Sequence, residues 1–125
     1  MLYLVGLGLN CNDISLNALN VIKKCKKLYL ENYTSVGCEV KDLEKIIKKK
    51  VIMANRELIE NNSNKLLDEA KKQDIAILIY GDPLTATTHI NYLIECKKKN
   101  IKFNVIHSSS ILTAVSETGL FLYNF

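Results

Sequence analysis

The sequence contains no apolar run that approaches the ~20 residues needed to cross a bilayer as a helix. Its first apolar stretch, residues 2–9, is shorter and has no basic segment before it, which argues against a secretory signal. Hydrophobic residues make up 48% of the chain and charged residues 24%, which argues against a disordered chain. These features predict one soluble, intracellular domain of 125 residues with a sizeable core and no membrane partner.

Arginine is nearly missing, since Arg56 is the only one among 17 basic residues. The lysines cluster at residues 23–27, 48–50 and 97–99, at the ends of predicted helices, where they are solvated and meet the negative end of the helix dipole. A nucleic-acid surface more often shows arginines or interleaved aromatic residues, and these runs contain neither. The net charge of +4 is mild, and we expect no nucleic-acid partner.

The cysteines lack the spacing of a zinc site. Cys11, Cys25, Cys38 and Cys96 are even in number, but no two of them form a CxxC pair. Because the sequence has no secretion signal, we predict four free thiols, no disulfide and no metal site. Single cysteines of this kind are often small hydrophobic residues of the core.

Short apolar runs alternate along the chain with helical patterns. The first run is typical of a strand buried on both faces, and the fourth is the candidate for the central strand. The runs occupy residues 2–7, 28–30, 51–53, 75–80 and 101–106. This alternation predicts an α/β fold, a mostly parallel five-stranded sheet with helices on both faces.

Serine residues mark the starts of several predicted helices. Ser15 and Ser63 are candidate N-caps, as is Ser109 or Ser110 for a last short helix that Gly119 ends. Each has a hydroxyl that can accept a hydrogen bond from the first helical turn.

The helix predicted after the fourth strand has Ile90, Leu93, Ile94 and Lys97 on one face. Beyond the last predicted helix, residues 120–125 are apolar and aromatic, with no obvious stop signal. The chain therefore ends as if another element should follow.

Ligands of open parallel sheets bind beyond the carboxyl ends of the strands. Three loops qualify here, at residues 8–14, 81–88 and 107–111. In the first, Gly6 and Gly8 permit close backbone approach, but the third glycine of a dinucleotide fingerprint falls at a cysteine, so that fingerprint fails. A tight strand-to-helix turn without a ligand explains this glycine pair as well.

The second loop, GDPLTATTH at residues 81–89, is more informative. Pro83 restricts Asp82 to an extended backbone, and three threonines supply hydroxyls near free amides at a helix N-terminus, which forms a polar cradle. The alternative is a capped helix with Asp82 bonded to its own turn. His89 and His107 are each compatible with packing, capping or chemistry, and the sequence shows no Ser/His/Asp set or Walker-type loop.

The opening VGLG at residues 5–8, followed by Asp13-Ile14-Ser15, resembles the start of the tetrapyrrole-methylase superfamily, whose members use S-adenosylmethionine. More specific segments are similar to the diphthine synthase family within it. These are LENYTS at residues 30–35, GDPLTATTH at 81–89, HSSSIL at 107–112, and TGL with LYNF at 118–125. The resemblance covers the whole chain.

The resemblance implies a methyltransferase that moves a methyl group from S-adenosylmethionine to the amine of a modified histidine on elongation factor 2, leaving S-adenosylhomocysteine. Members of the family are cytoplasmic homodimers of two-domain chains, with the cofactor in the cleft between the domains. Residues 1–125 correspond to the N-terminal methyltransferase domain, so the resemblance implies an incomplete chain that is weak or inactive on its own.

Five cofactor-binding residues carry over from the family. They are Leu9, Asp82, Thr85, Ser110 and Ile111. Thr85 occupies a position where the family varies, and the first loop has Leu-Asn where Pro-Gly is common in the superfamily. No residue is nominated as the base that deprotonates the substrate amine.

Two other functions stay open. A methyltransferase acting on a precorrin or uroporphyrinogen-type tetrapyrrole would share the first loop but should lack Tyr33-Thr34-Ser35 together with the 81–89 motif. A non-catalytic nucleotide-binding or interaction domain would have the same fold without affinity for S-adenosylmethionine.

Overall fold

In a computed structural model that describes residues 1–120 and 123, five parallel strands form one sheet flanked by helices. The strands are β1 (Leu2–Gly6), β2 (Lys27–Glu31), β3 (Ile52–Ala54), β4 (Ile75–Ile79) and β5 (Phe103–Ile106). The helices are α1 (Leu16–Lys24), α2 (Val40–Ile47), α3 (Ser63–Lys72), α4 (Ile90–Lys98) and α5 (Ile111–Ala114). Shorter turns lie at Cys11–Asp13, Glu57–Asn61 and Val115–Thr118.

The sheet order is β3-β2-β4-β1-β5, which places β4 at its centre as the sequence predicts. All four strand pairings are parallel, and Leu2 of β1 lies between Ile75 of β4 and Phe103 of β5. Parallel neighbours need crossover connections, and the helices supply them. The predicted α/β class with helices on both faces is confirmed.

The core consists of two apolar layers, one on each face of the sheet. Tyr3 and Val5 of β1 pack on the face covered by α1 and α2, while Leu2 and Leu4 pack on the face covered by α3 and α4. Strand side chains alternate between faces, so burial on both sides makes β1 and β4 read as continuous apolar runs.

The helix caps agree with the sequence in part. Ser15 Oγ accepts a hydrogen bond from the Ala18 amide at 3.0 Å, as predicted. Ser63, in contrast, is the first residue of α3, and Asn62 occupies the cap position without a side-chain bond. The reason is local, because residues 57–61 already form a helical turn that runs into α3. Ser110 stands at the cap position of α5, also without a side-chain bond.

Helix α4 packs through only part of the apolar face that its pattern marks, since Leu93 of that face packs against the core. Ile90 and Ile94 are 48% and 45% exposed, whereas Tyr92 and Cys96 are buried. Both pairs have i, i+4 spacing, so periodicity alone offers two stripes. Tyr92 enters the core because its Oη donates a hydrogen bond of 2.6 Å to the Ile59 carbonyl oxygen.

The prediction of four free thiols is wrong for two of them. Cys11 and Cys38 form a disulfide with their Cα atoms 5.7 Å apart, while Cys25 and Cys96 are free and buried. The 27-residue separation hides this proximity in the sequence. It arises because β1 and β2 both flank β4, so the segments that follow them converge at the same sheet edge.

No helix in the described part of the chain is long and apolar enough to cross a membrane. Of the predicted apolar tail, Leu120 is exposed, and Phe121, Leu122 and Phe125 lie outside the described residues.

Candidate functional site

The three predicted loops meet at the carboxyl ends of the central strands. Gly8 and Gly81 exchange backbone hydrogen bonds, with N···O distances of 3.3 and 2.8 Å, in an isolated antiparallel bridge. Both glycines have positive φ, 78° and 74°, a conformation that L side chains rarely adopt. At Gly6, an added Cβ would lie 2.7 Å from the Gly81 carbonyl oxygen. The glycine pair of the first loop therefore allows two loops to pack backbone to backbone.

Asp82 joins the second loop to the third. Its Oδ1 accepts hydrogen bonds from the Leu84 amide at 3.0 Å and the Thr85 hydroxyl at 3.4 Å. Its Oδ2 accepts from His107 Nδ1 at 2.7 Å and the Ser108 amide at 3.2 Å. Burial alone would raise the pKa of Asp82, but these donors hold it below its usual value.

Four donors use the acceptor capacity of one carboxylate. The alternative that Asp82 bonds its own turn is therefore correct for this side chain, and the carboxylate also fixes His107. The side chain positions the loops, and the Asp82 carbonyl oxygen accepts the Thr85 amide at 3.3 Å, so it is the Asp82 backbone amide that remains for a ligand.

A cavity of about 280 Å³ opens at this edge of the sheet. All five predicted cofactor residues line it: Leu9, Asp82, Thr85, Ser110 and Ile111. The remaining lining residues are Gly8, Ser35, Val36, Tyr80 and Gly81. Two apolar side chains of this lining are accessible to solvent, since Ile111 and Leu9 are 69% and 43% exposed.

Sequence reasoning did not assign Ser35, Val36 and Tyr80 to this cavity. Ser35 is the last residue of the LENYTS motif, and this motif could have indicated that the loop after β2 belongs to the site. Tyr80 Oη donates a hydrogen bond of 2.8 Å to the carbonyl oxygen of Cys38, and its ring leaves no room for a side chain at position 37. Tyr80 therefore holds residues 35–38 as one wall of the cavity.

A buried pair, Glu31 and His89, holds the residues that lead into that wall. His89 Nε2 lies 3.1 Å from Glu31 Oε2, and Glu31 Oε1 accepts the amides of Tyr33 and Thr34 at 2.8 and 2.9 Å. Burial alone would raise the pKa of Glu31, but the bonds from His89, Thr34 and Tyr33 lower it to about 2. The pair links the LENYTS segment to the end of the GDPLTATTH segment.

Another cavity, of about 200 Å³, lies on the far side of His89 beside α4. Its polar rim includes Glu60 and Glu95, and none of the five predicted cofactor residues lines it. Among the described residues, no three His, Cys, Asp or Glu side chains come together as a metal site. The cavity at the strand ends is therefore the candidate site.

The model of the family "Tetrapyrrole (Corrin/Porphyrin) Methylases" matches residues 1–124. The chain belongs to this family.

Within the tetrapyrrole methylases, the chain is similar to several curated diphthine methyl ester synthases. It is 45% identical to that of Kluyveromyces lactis over 128 residues and 46% identical to that of Yarrowia lipolytica. Each match covers 100% of this chain but 43% of the relative, so the chain spans less than half of their length. A solved structure of diphthine synthase superposes with a TM-score of 0.94 at 38% identity, covering 99% of this chain and 51% of that one. The resemblance to the diphthine synthase family is confirmed.

Proposed function

We propose that this tetrapyrrole methylase chain is the N-terminal, cofactor-binding part of an S-adenosylmethionine-dependent methyltransferase of diphthamide biosynthesis. The observation that carries the proposal is the single cavity lined by all five residues that the family resemblance selects. The names of the most similar curated relatives support the same reaction class. The protein substrate is elongation factor 2 bearing a diphthamide precursor.

The chemistry of the cavity fits the cofactor. Leu9 and Ile111 supply apolar surface for the adenine, and the Ser110 hydroxyl and the Asp82 backbone amide supply polar partners. When bound, the sulfonium of S-adenosylmethionine supplies the methyl group. The residues on this chain orient the cofactor and cover one side of it, which in-line displacement requires.

The acceptor is a nucleophile on the modified histidine. The resemblance implies its amine, and the name of the relatives, diphthine methyl ester synthase, adds a second acceptor class, since a methyl ester forms on a carboxylate oxygen. Both acceptors must approach the cofactor from the open side of the cavity, away from the sheet.

The second wall of the cleft belongs to a second domain. The curated relatives are more than twice as long as the region that this chain matches, which leaves room for such a domain in them. A cavity open on one side leaves the cofactor in contact with water, so the isolated chain is a poor catalyst. The working protein is a cytoplasmic homodimer of two-domain chains.

A chimera tests the proposal directly. The chain replaces the matching region of the Kluyveromyces lactis relative, and radiolabelled methyl transfer to elongation factor 2 carrying the diphthamide precursor is measured. We expect the chimera to turn over. Ser110→Ala should reduce this turnover at least tenfold, whereas Ser116→Ala should leave it unchanged, because Ser116 is exposed and lies outside the cavity. Transfer to a tetrapyrrole instead of the protein would support the alternative methyltransferase, and binding of neither cofactor nor substrate would support the non-catalytic one.

A further inference from the structure

The Cys11–Cys38 disulfide joins two chain segments that line the candidate site. Cys11 follows Leu9 by two residues on one wall of the cavity, and Cys38 follows Val36 by two residues on the other. Both cysteines are half-buried, so a small reagent in solvent reaches them. The bond therefore ties the two walls together beside the cavity mouth.

Little else holds these walls to each other. Across residues 8–13 and 35–38, all of which the structure describes, no hydrogen bond runs from one segment to the other. The 35–38 segment is held from the sheet side by Tyr80, and Val36 at its centre is 97% exposed. Opening the disulfide would leave the two segments joined by packing alone, with no covalent bond or hydrogen bond between them.

The other two cysteines provide an internal contrast. Cys25 and Cys96 are fully buried, and burial raises the pKa of Cys25 to about 11 and also raises that of Cys96. Because the thiolate is the reactive form, these two thiols are inert in the folded chain. Thiol chemistry in the native state is confined to the pair at the cavity.

We propose that Cys11 and Cys38 are a reversible dithiol–disulfide modification site that controls how firmly the 35–38 wall is held at the cavity. The oxidant is a small disulfide of the glutathione class. One cysteine thiolate attacks it and releases one small thiol, and the second then attacks the mixed disulfide and releases another. The two cysteines lose two protons and two electrons, and the small disulfide gains both.

The two redox forms differ in how rigidly the 35–38 wall of the cavity is held. In a reducing cytoplasm the dithiol predominates, and an oxidising shift closes the bond. In the disulfide form the 35–38 segment already has less conformational freedom. Ligand binding therefore costs less conformational entropy in this form than in the dithiol form. We expect S-adenosylhomocysteine to bind the disulfide form about threefold or more tightly. This last expectation rests on the proposed function, whereas the redox reaction and the wall order do not.

Mass spectrometry tests the modification. The whole chain is reduced with dithiothreitol and then incubated with glutathione disulfide over a range of redox ratios. We expect a product lighter by two hydrogen atoms, with a cross-linked peptide pair containing Cys11 and Cys38. Alkylation of the reduced, folded chain should label these two cysteines before Cys25 and Cys96. A chain that forms only mixed disulfides, or no disulfide at all, would overturn the proposal.

Backbone ¹⁵N relaxation tests the effect on the wall. We expect residues 35–38 to have lower heteronuclear NOE values in the reduced chain than in the oxidised chain, with β4 unchanged as reference. A Cys11→Ser/Cys38→Ser double variant should match the reduced form under both conditions. Identical values in both forms would overturn the proposal. If S-adenosylhomocysteine binds neither form, the proposed function fails while these relaxation data still decide the redox proposal.

Discussion

At the scale of single residues, the carboxylate of Asp82 holds two loops of the candidate site in place through hydrogen bonds. Its four donors come from two loops, including the imidazole of His107 at 2.7 Å. The sequence marks this position through Pro83, but it cannot show that a strand-end histidine 25 residues later supplies the nearest partner. That contact crosses the end of β1, which lies between β4 and β5, where Gly6 has no side chain to obstruct it.

Asp82→Ala should lower both stability and cofactor affinity. Removing the carboxylate leaves the amides of Leu84 and Ser108 without their partner, so the free energy of unfolding should fall by about 1–3 kcal/mol. Urea unfolding checks the first effect and calorimetry with S-adenosylhomocysteine the second. Asp68→Ala, an exposed carboxylate on α3, is the matched control and should change neither. An Asp82→Ala variant as stable as the wild type would show that the tie between the loops is unimportant.

The Glu31 carboxylate should produce a measurable pH dependence. Its pKa is about 2 in the folded chain against an ordinary 4.5, so it stabilises the fold above about pH 4.5 and loses this effect as pH falls toward 2. The difference in unfolding free energy between wild type and Glu31→Gln should therefore be largest near neutrality and shrink below pH 4.5. A difference independent of pH would contradict the assigned pairing with His89.

At the scale of secondary-structure elements, the strands were predictable and the packing face of α4 was not. A parallel strand between two helical layers must be apolar throughout, and this gives β1 and β4 an unambiguous pattern. A helix with apolar residues on two stripes has no such constraint. In α4, a tyrosine with a carbonyl acceptor is buried in place of two isoleucines.

The stability effects of Tyr92→Phe and Ile94→Ala should show which of the two apolar stripes of α4 packs into the core. The change leaves the carbonyl oxygen of Ile59 without its donor in the core, so we expect a loss of about 1–2 kcal/mol in the free energy of unfolding. Ile94→Ala removes more atoms but from a side chain that is 45% exposed, and should cost about 0.5 kcal/mol or less. Urea denaturation of both variants provides the comparison, and the reverse ranking would mean that α4 packs through its isoleucines.

At the scale of the whole molecule, the sequence predicted the sheet and five of the ten residues that line one cavity, but not the covalent link beside it. The five residues were found because a family motif places them at strand ends, which always share one edge of a parallel sheet. No sequence motif marks the pairing of Cys11 with Cys38, because the two loops that carry these cysteines approach each other only in the folded chain.

The chain should associate with itself in solution. Apolar side chains around α5 are exposed, among them Ile111, Leu112 and Leu120, and association would remove their surface from water. Light scattering at micromolar concentration should give a mass above the 14.2 kDa of one chain. Replacing Leu112 and Leu120 with serine should lower that mass. A monomer at every concentration would remove the support for a dimer.

Nuclear magnetic resonance shows whether the cavity at the strand ends binds the methyl donor. The ¹⁵N-labelled chain is titrated with S-adenosylhomocysteine, and amide shifts are followed residue by residue. We expect the largest changes at the predicted cofactor residues Leu9, Asp82, Thr85, Ser110 and Ile111. Changes concentrated around Glu60 and Glu95 in the cavity beside α4, or no changes at saturating ligand, would contradict it.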